Sequence, residues 1–452
     1  MECFQFNLRS YESHKNRIIV PMDAYRSFKH VQAIYFGIKE EAIEVMTHQK
    51  NDATIYLSQS IINKLHIERL SLSTCYVQGE QLIIQPYLGV FTAGFDSSSS
   101  RPLGERTAVM ENMAQAGEAY GWETAFFGYQ HINWEANTIN AFTFHDSKWQ
   151  RQTFPIPHII YDRIPNRQVE HHPSVHEAKR KLKLHSQWFN EGFFNKWKIY
   201  DQLIRIQGVA HLLPPTVLHP SSDKLFDMIQ KHGSVYIKPI HGSKGIGIKK
   251  CTLLTQLEAI ECSYYVDEKK VHNRYYHFDQ LMKQQFPNGL AGYIVQPAIA
   301  LQTIRSTPID YRVHTNKNEK NEWEVSVVCC KFAGKGSLTT HVQRGGSVHT
   351  LTDIYADSES QVIFNKLERA ALLVSNTLHH QSKTPLGELG LDFGIDEEGE
   401  IWLFEVNSKP GYAIFEHPFY RQQQSVILTY PYQFATYLQQ AIFHLKKEPL
   451  FS

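Results

Sequence analysis

Residues 387–411, GELGLDFGIDEEGEIWLFEVNSKPG, join two short apolar runs through the polar tetrad Glu397-Glu398-Gly399-Glu400. A polar turn between hydrophobic runs predicts a β-hairpin, although Glu-Gly is a poorer tip than Asn-Gly or Asp-Gly. A tip at Glu398-Gly399 pairs Asp396 with Ile401 and, further down the ladder, Asp392 with Glu405. Opposed residues of an antiparallel pair share one face, with Cβ atoms roughly 5 Å apart. Asn407, two residues past Glu405, projects from that face too. Two opposed carboxylates repel unless a proton or a cation stands between them. An oxygen-only set suits Mg²⁺, which is held by one or two carboxylates and completed by a substrate's phosphates. An arbitrary Asp/Glu pair on an edge hairpin is more often a solvated polar face. Here Leu391, Phe393, Leu403, Phe404 and Val406 predict burial on both faces, where an unpaired acid is costly. That tips the reading toward a metal site formed by Asp392, Glu405 and Asn407.

A chain of 452 residues is long for one domain, and roughly 150 residues per domain predicts about three. Hydrophobic residues at 42% and charged residues at 20% are ordinary for a folded protein. Lys plus Arg number 46 against 45 Asp plus Glu, so no global field draws nucleic acid or an anionic membrane. No apolar run reaches the roughly 18 residues of a membrane span, and the charged N-terminus lacks a signal peptide's apolar centre. The six cysteines form no CxxC pair, which predicts buried thiols in a reducing, cytoplasmic setting. The 24 histidines include no HExxH; His171-His172 and His379-His380 read as surface pairs.

Residues 1–80 read as a small β-rich or mixed module. From Gln81, LIIQPYLGVFTAG reads as a buried strand. Glu105–Tyr120 follows with Val109, Met113, Ala116 and Tyr120 at helical spacing, and then comes a strand at Trp122–Phe127. Strand, helix, strand predicts a βαβ unit and a parallel sheet; GxGxxG is absent. The proline-bearing FPIPHIIYDRIPNR (154–167) reads as an extended surface linker. Glu177–Gly208 reads as helical, with Trp188, Phe189, Phe193, Phe194 and Trp197 as its bulky face and Lys196 among them. In SVYIKPIHGSKGIGI (234–248), a strand delivers Lys238 into a loop containing Gly242, Ser243, Lys244, Gly245 and Gly247. Glycines let backbone N–H groups approach an anion, and a fixed lysine adds a point charge for phosphate. GYIVQPAIA (292–300) is an apolar strand that presents Gln296 at its end. In PIDYRVHT (308–315), Asp310, Arg312 and His314 share one face of a strand, and an arginine held on a sheet can meet phosphate oxygens in bidentate fashion. Glu322–Phe332 reads as its antiparallel partner and delivers Lys331. A helix through Phe364–His379, with Leu367, Ala371, Val374 and Leu378 on one stripe, leads into the opening hairpin. A last helix is expected over Pro431–Lys447.

The order of these parts resembles the ATP-grasp superfamily: lysine, strand lysine, glycine flap, strand glutamine, Asp-x-Arg, lysine, then Asp with Glu-x-Asn. The stretches FPIPHIIYDRIPNR, FNEGFFNKW, LPPT, DYRVHTNKNEKNEWEV and ELGLDFGIDEEGEIWLFEVNSKPG are similar to its YheC/YheD-type branch, whose members carry the label endospore coat-associated. The resemblance implies an α/β and α+β chain. A β-rich module (1–80) would precede a Rossmann-like pre-ATP-grasp domain (81–190). The two ATP-grasp subdomains would follow, the first with the glycine flap (191–300) and the second with the metal site (301–452). It implies ATP and Mg²⁺ as cofactors, with Lys196, Lys238 and the Gly242–Gly247 flap on the phosphates and Gln296 near adenine. Arg312 and Lys331 would form the catalytic set, and Asp392, Glu405 and Asn407 the metal ligands. The acid that often holds the ribose hydroxyls is missing, and Gln302 stands near its place. The activity implied is ligation of a small-molecule or peptide carboxylate to an amine or thiol through an acyl phosphate. Spore-coat proteins are among the implied partners, and cytoplasmic or spore-associated placement goes with them. Two alternatives stay open: an ATP-binding structural spore protein without ligase activity, and a kinase-like phosphotransferase.

Overall fold

The alternating runs of the first part of the chain become eight strands between Glu2 and Ile84, all in one mixed sheet. The structure, a computed structural model, describes residues 1–50, 52–96, 100–241, 247–266, 269–305, 307–332 and 346–445. The run read as one strand from Gln81 is two. Gln85 takes a positive φ of 44° and Pro86 brings no donor to a ladder. The chain therefore leaves the first sheet at Ile84 and starts a central strand of the second at Tyr87.

That second sheet contains β1 (Tyr87–Phe91), followed by helix α1 (Thr107–Tyr120) and β2 (Glu123–Phe127), the expected βαβ unit. Strands β3 (Ile159–Asp162) and β4 (Gln187–Phe189) extend it on the far side of β1, so the parallel order is β2-β1-β3-β4. Two readings are corrected here. The segment taken as a surface linker is the approach to β3, which is buried along its whole length. Pro155 and Pro157 precede its first residue, where a missing N–H leaves the ladder intact. The stretch taken as continuously helical is interrupted: Trp188 and Phe189 lie on β4, and α2 (Lys196–Ile204) begins only after a loop. Clustered aromatics satisfy strand and helix alike, so their bulk alone did not separate the two.

Two antiparallel lobes follow, and helices at Pro418–Ile427 and Tyr430–Leu445 return to pack on the second sheet. The first is six-stranded and centres on β5 (Ser234–Pro239), flanked by β6 (Lys249–Leu254) and β7 (Tyr293–Pro297). The second places β8 (Thr307–Lys317) between β9 (Trp323–Phe332) and β10 (Glu388–Ile395), with β11 (Ile401–Asn407) beyond β10. Helix α3 (Asp357–Gln381) covers one face of this second sheet. Its Leu367, Ala371, Val374 and Leu378, the expected stripe, bury against Tyr311, Val313, Leu391 and Phe393. Alternation along the strands then leaves Asp310, Arg312, His314 and Asp392 on the other face. Among the described residues no helix is long and apolar enough to cross a membrane.

Candidate nucleotide and metal site

The hairpin β10–β11 opposes Asp392 to Glu405, as expected, but by a different route. Near the tip Ile395 pairs with Ile401 and Phe393 with Leu403, one residue off the expected register. Asp396 causes this: its carboxylate accepts the N–H of Glu398 (3.1 Å) and of Glu400 (2.8 Å) and the indole of Trp402 (2.7 Å), which closes the turn earlier. A bulge at Phe404 then inserts one unpaired residue and restores the Asp392–Glu405 pair. Gly394 makes the bulge possible, since a Cβ there would lie 2.6 Å from the Phe404 ring.

A row of alternating charge crosses this sheet. Arg312 sits opposite Asp392 and grips it with two bonds, Nε to Oδ1 (3.0 Å) and Nη2 to Oδ2 (2.9 Å). Lys331 donates to Asp392 Oδ1 at 2.7 Å and stands 3.3 Å from Asp310. Burial pulls the Lys331 ammonium down, but Asp310 and Asp392 hold it above the ordinary lysine range. Gly390 leaves room for the arginine fork: a Cβ there would meet Arg312 Nη1 at 2.7 Å. Asn407 pairs with Gly390 at the end of β11.

The opposing lobe supplies the other wall of a cavity of about 450 Å³ between the two sheets. Lys196 opens α2, where Asn195 caps the helix by accepting the N–H of Lys198, and its ammonium meets Glu405 at 2.9 Å. Lys238, on β5, donates to Gln296 Oε1 at 2.7 Å, and Gln296 donates in turn to Thr216 Oγ1 at 2.8 Å. The Gln296 amide thus positions Lys238 while lining the same cavity. Burial drives the Lys238 ammonium down to about 8, and repulsion from Lys196 adds to this while Glu405 opposes it. Lys250 pairs with Tyr236 across β5 and β6 and so shares the face of Lys238, with its ammonium 5.6 Å from the Tyr236 ring, lowered by burial and by Lys270. Of the expected flap, Gly242, Ser243, Lys244 and Gly245 lie outside the described residues. Gly247 is described with φ at 75°, and a side chain there would also meet Pro239 at 2.8 Å.

Several residues that position this site escaped the sequence reading. Asn190 is fully buried at φ 54° and brackets β10 and β11. Its Nδ2 donates to the carbonyls of Glu388 (2.7 Å) and Ser408 (2.5 Å), and its Oδ1 accepts the N–H of Gly387 (2.7 Å) and Glu388 (3.1 Å). Asp162, at the end of β3, is buried between Lys179 and Lys409, and Glu170 bridges the same two ammonium groups. Burial raises the Asp162 carboxyl, but the two lysines outweigh it and hold it below the usual range. Lys409 lies two residues past Asn407, so this box pins the end of β11 to the second sheet. Asn190 follows β4 in a non-helical conformation, and a polar residue trapped among aromatics (WFNEGFF) was the signal for it.

Among the described residues no group of three His, Cys, Asp or Glu side chains could hold a metal by itself. The pair Asp392 and Glu405, with Asn407 beside them, offers hard oxygen donors on one face, and each carboxylate already holds a cationic nitrogen at 2.7–3.0 Å. A donor set two carboxylates strong fits Mg²⁺ completed by phosphate oxygens and does not fit a metal held by protein alone.

Residues 185–438 match a family profile described as YheC/D like ATP-grasp. The endospore coat-associated protein YheD of Bacillus subtilis (strain 168) is 33% identical over 409 residues, which is 89% of this chain and 90% of that protein. YheC of the same organism, also described as endospore coat-associated, is 23% identical over 335 residues, 71% of this chain and 89% of its own length. Among solved structures, the D-alanyl-alanine synthetase A of Vibrio cholerae O1 biovar eltor str. N16961 is similar with a TM-score of 0.43 and 12% identity. That alignment covers 76% of this chain and 98% of the synthetase.

Proposed function

The chain belongs to the YheC/D-like ATP-grasp family, and from that premise we propose that it is a Mg²⁺- and ATP-dependent ligase joining a carboxylate to an amine or thiol. The observation that carries the proposal is one cavity of about 450 Å³ lined by Lys196, Lys238, Asp392 and Glu405, with Lys196 paired to Glu405 at 2.9 Å. That volume lies in the range of small-molecule sites, about 300–1,000 Å³. Lys196 and Lys238 would take the nucleotide phosphates, giving up Glu405 and Gln296 as partners. Asp392, Glu405 and Asn407 would hold Mg²⁺, whose charge would offset that of the phosphate oxygens. Arg312 and Lys331 stand beside Asp392, where they would orient and neutralise the transferring phosphoryl group. In the reaction a substrate carboxylate oxygen bonds to the γ-phosphorus as the bond to ADP breaks. The nucleophile then bonds to the acyl carbon, inorganic phosphate leaves, and one proton is released. We extend the relatives' association with the endospore coat to this chain only as a proposal that its product serves coat or envelope biogenesis.

One observation favours a second reading, a nucleotide-binding structural protein. Both oxygens of Asp392 are already satisfied by Arg312 and Lys331. The two readings separate in a screen for ADP release with Mg·ATP, amino acids and small peptides, followed by mass spectrometry. A new amide or thioester formed together with ADP supports the ligase. Nucleotide binding without ADP release supports the structural protein, and a stable phosphorylated product supports a kinase-like transfer.

A further inference from the structure

The parallel strands of the second sheet change direction of travel at β1: the chain moves from β1 to β2 on one side and later to β3 on the other. In open α/β sheets such a reversal leaves a crevice outside the C-terminal strand ends, and ligands bind there. Here Thr92 and Ala93 follow β1, and Arg163 follows β3. Arg106, just before α1, donates to Thr92 Oγ1 at 2.8 Å and to the carbonyl of Ala93. Thr92 Oγ1 donates in turn to the carbonyl of Arg163 at 2.9 Å. The Arg106 guanidinium is partly exposed, its acceptors are neutral, and the charge it feels is the repulsion of Arg163. Arg163 is fully engaged: it pairs with Glu388 at 2.7 Å, donates to the Pro410 carbonyl at 3.1 Å and stacks over Tyr412 at 4.4 Å. Arg163 thus takes the Glu388 carboxylate, while the hydrogen bonds of Arg106 go to neutral oxygens. A half-buried cation beside a like charge is unfavourable unless an anion joins it, and a planar fork fits a carboxylate. A separate observation lies between this crevice and the metal strands. His314 is 4% exposed and its Nε2 has no hydrogen-bond partner; both Arg163 and the Arg312–Asp392 pair act on it.

Resting on the ligase reading above, we propose that Arg106 binds a non-reacting carboxylate of a substrate in the crevice outside β1 and β3. The substrate class is then a compound with a free carboxylate remote from the bond being made, such as an amino acid or short peptide. The remoteness follows from the strand: Glu388, the partner of Arg163, precedes Asp392 by four residues of β10, on the order of 13 Å.

The test uses the full chain saturated with Mg·ADP. Thermal shifts are measured with the amino acids and glycyl dipeptides, each beside its carboxamide. Free acids are expected to raise the melting temperature and the carboxamides to leave it unchanged. Arg106→Met should abolish the response to acids, with the shift produced by Mg·ADP itself retained. Arg106→Lys, which keeps the charge and loses the fork, should weaken acid binding about tenfold and provides a second variant if the methionine chain fails to fold. Acids that stabilise Arg106→Met as well as wild type would overturn the proposal, and so would a wild-type chain that no carboxylate in the set stabilises. Loss of the Mg·ADP shift in wild type would instead strike the nucleotide reading.

Discussion

Replacing Lys238 with methionine should make the protein more stable and inactive at once, with the stability gain present at neutral pH and lost as the pH rises above about 8. The Lys238 ammonium falls from the ordinary 10.5 to about 8 because the cleft walls desolvate it. At about 1.4 kcal/mol per pH unit, holding that charge in the folded state at pH 7 costs about 3 kcal/mol. Methionine removes this cost but strips Gln296 Oε1 of its donor, a loss of about 1–2 kcal/mol. The variant should therefore be about 1–2 kcal/mol more stable at pH 7. Between pH 8 and 10.5 the unfolded wild-type chain binds the Lys238 proton and the folded chain does not, so wild-type stability rises with pH while the variant lacks this gain. By pH 9.5 wild type recovers about 2 kcal/mol and the advantage of the variant is gone. Urea unfolding of both proteins at pH 7 and 9.5 measures the difference, in which the other lysines cancel, and nucleotide titration should show binding lost. A stability difference that does not change with pH, or one that grows with pH, would refute the reasoning.

The paired acids should behave unequally. Asp392→Asn leaves Arg312 and Lys331 buried without their shared carboxylate and should cost about 3–5 kcal/mol, visible as a lower melting temperature. Glu405→Gln, with its partly exposed partner Lys196, should cost under about 1 kcal/mol while Mg²⁺-dependent ADP release falls at least a hundredfold. Asn190→Ala removes four hydrogen bonds from a fully buried bracket and should cost on the order of 4 kcal/mol, measured by urea unfolding. Gly390→Ala should displace the Arg312 fork, lowering turnover with little effect on nucleotide affinity; unchanged kcat would count against the packing described.

The hairpin, the face shared by Asp310, Arg312 and His314, and the stripe of α3 were legible because period-2 and period-3.6 alternation report directly on which side of an element is buried. The Asp392–Glu405 pairing was legible only because two departures cancelled. The Asp396 turn shifted the register and the Phe404 bulge shifted it back, and neither side-chain capping nor a bulge leaves a periodic trace. Strand β3 was hidden by the prolines that precede it. The role of Gln296 depends on Lys238 lying diagonally across from it on a neighbouring strand, and the Asp162–Lys179–Glu170–Lys409 box joins residues far apart in the chain. Such long-range polar pairing has no local signature. Arg106 stayed unnoticed for a related reason, since its position beside Arg163 exists only once β1 and β3 are neighbours.

The central claim is that the cleft activates a carboxylate by phosphorylation, and hydroxylamine trapping tests it most directly. The full chain is incubated with Mg·ATP, a mixture of amino acids and short peptides, and hydroxylamine, and the products are read by mass spectrometry. The account predicts an acyl hydroxamate formed in step with ADP, and its loss in Glu405→Gln. Bound nucleotide with neither ADP nor hydroxamate, or a stable phosphorylated product in place of the hydroxamate, would contradict it.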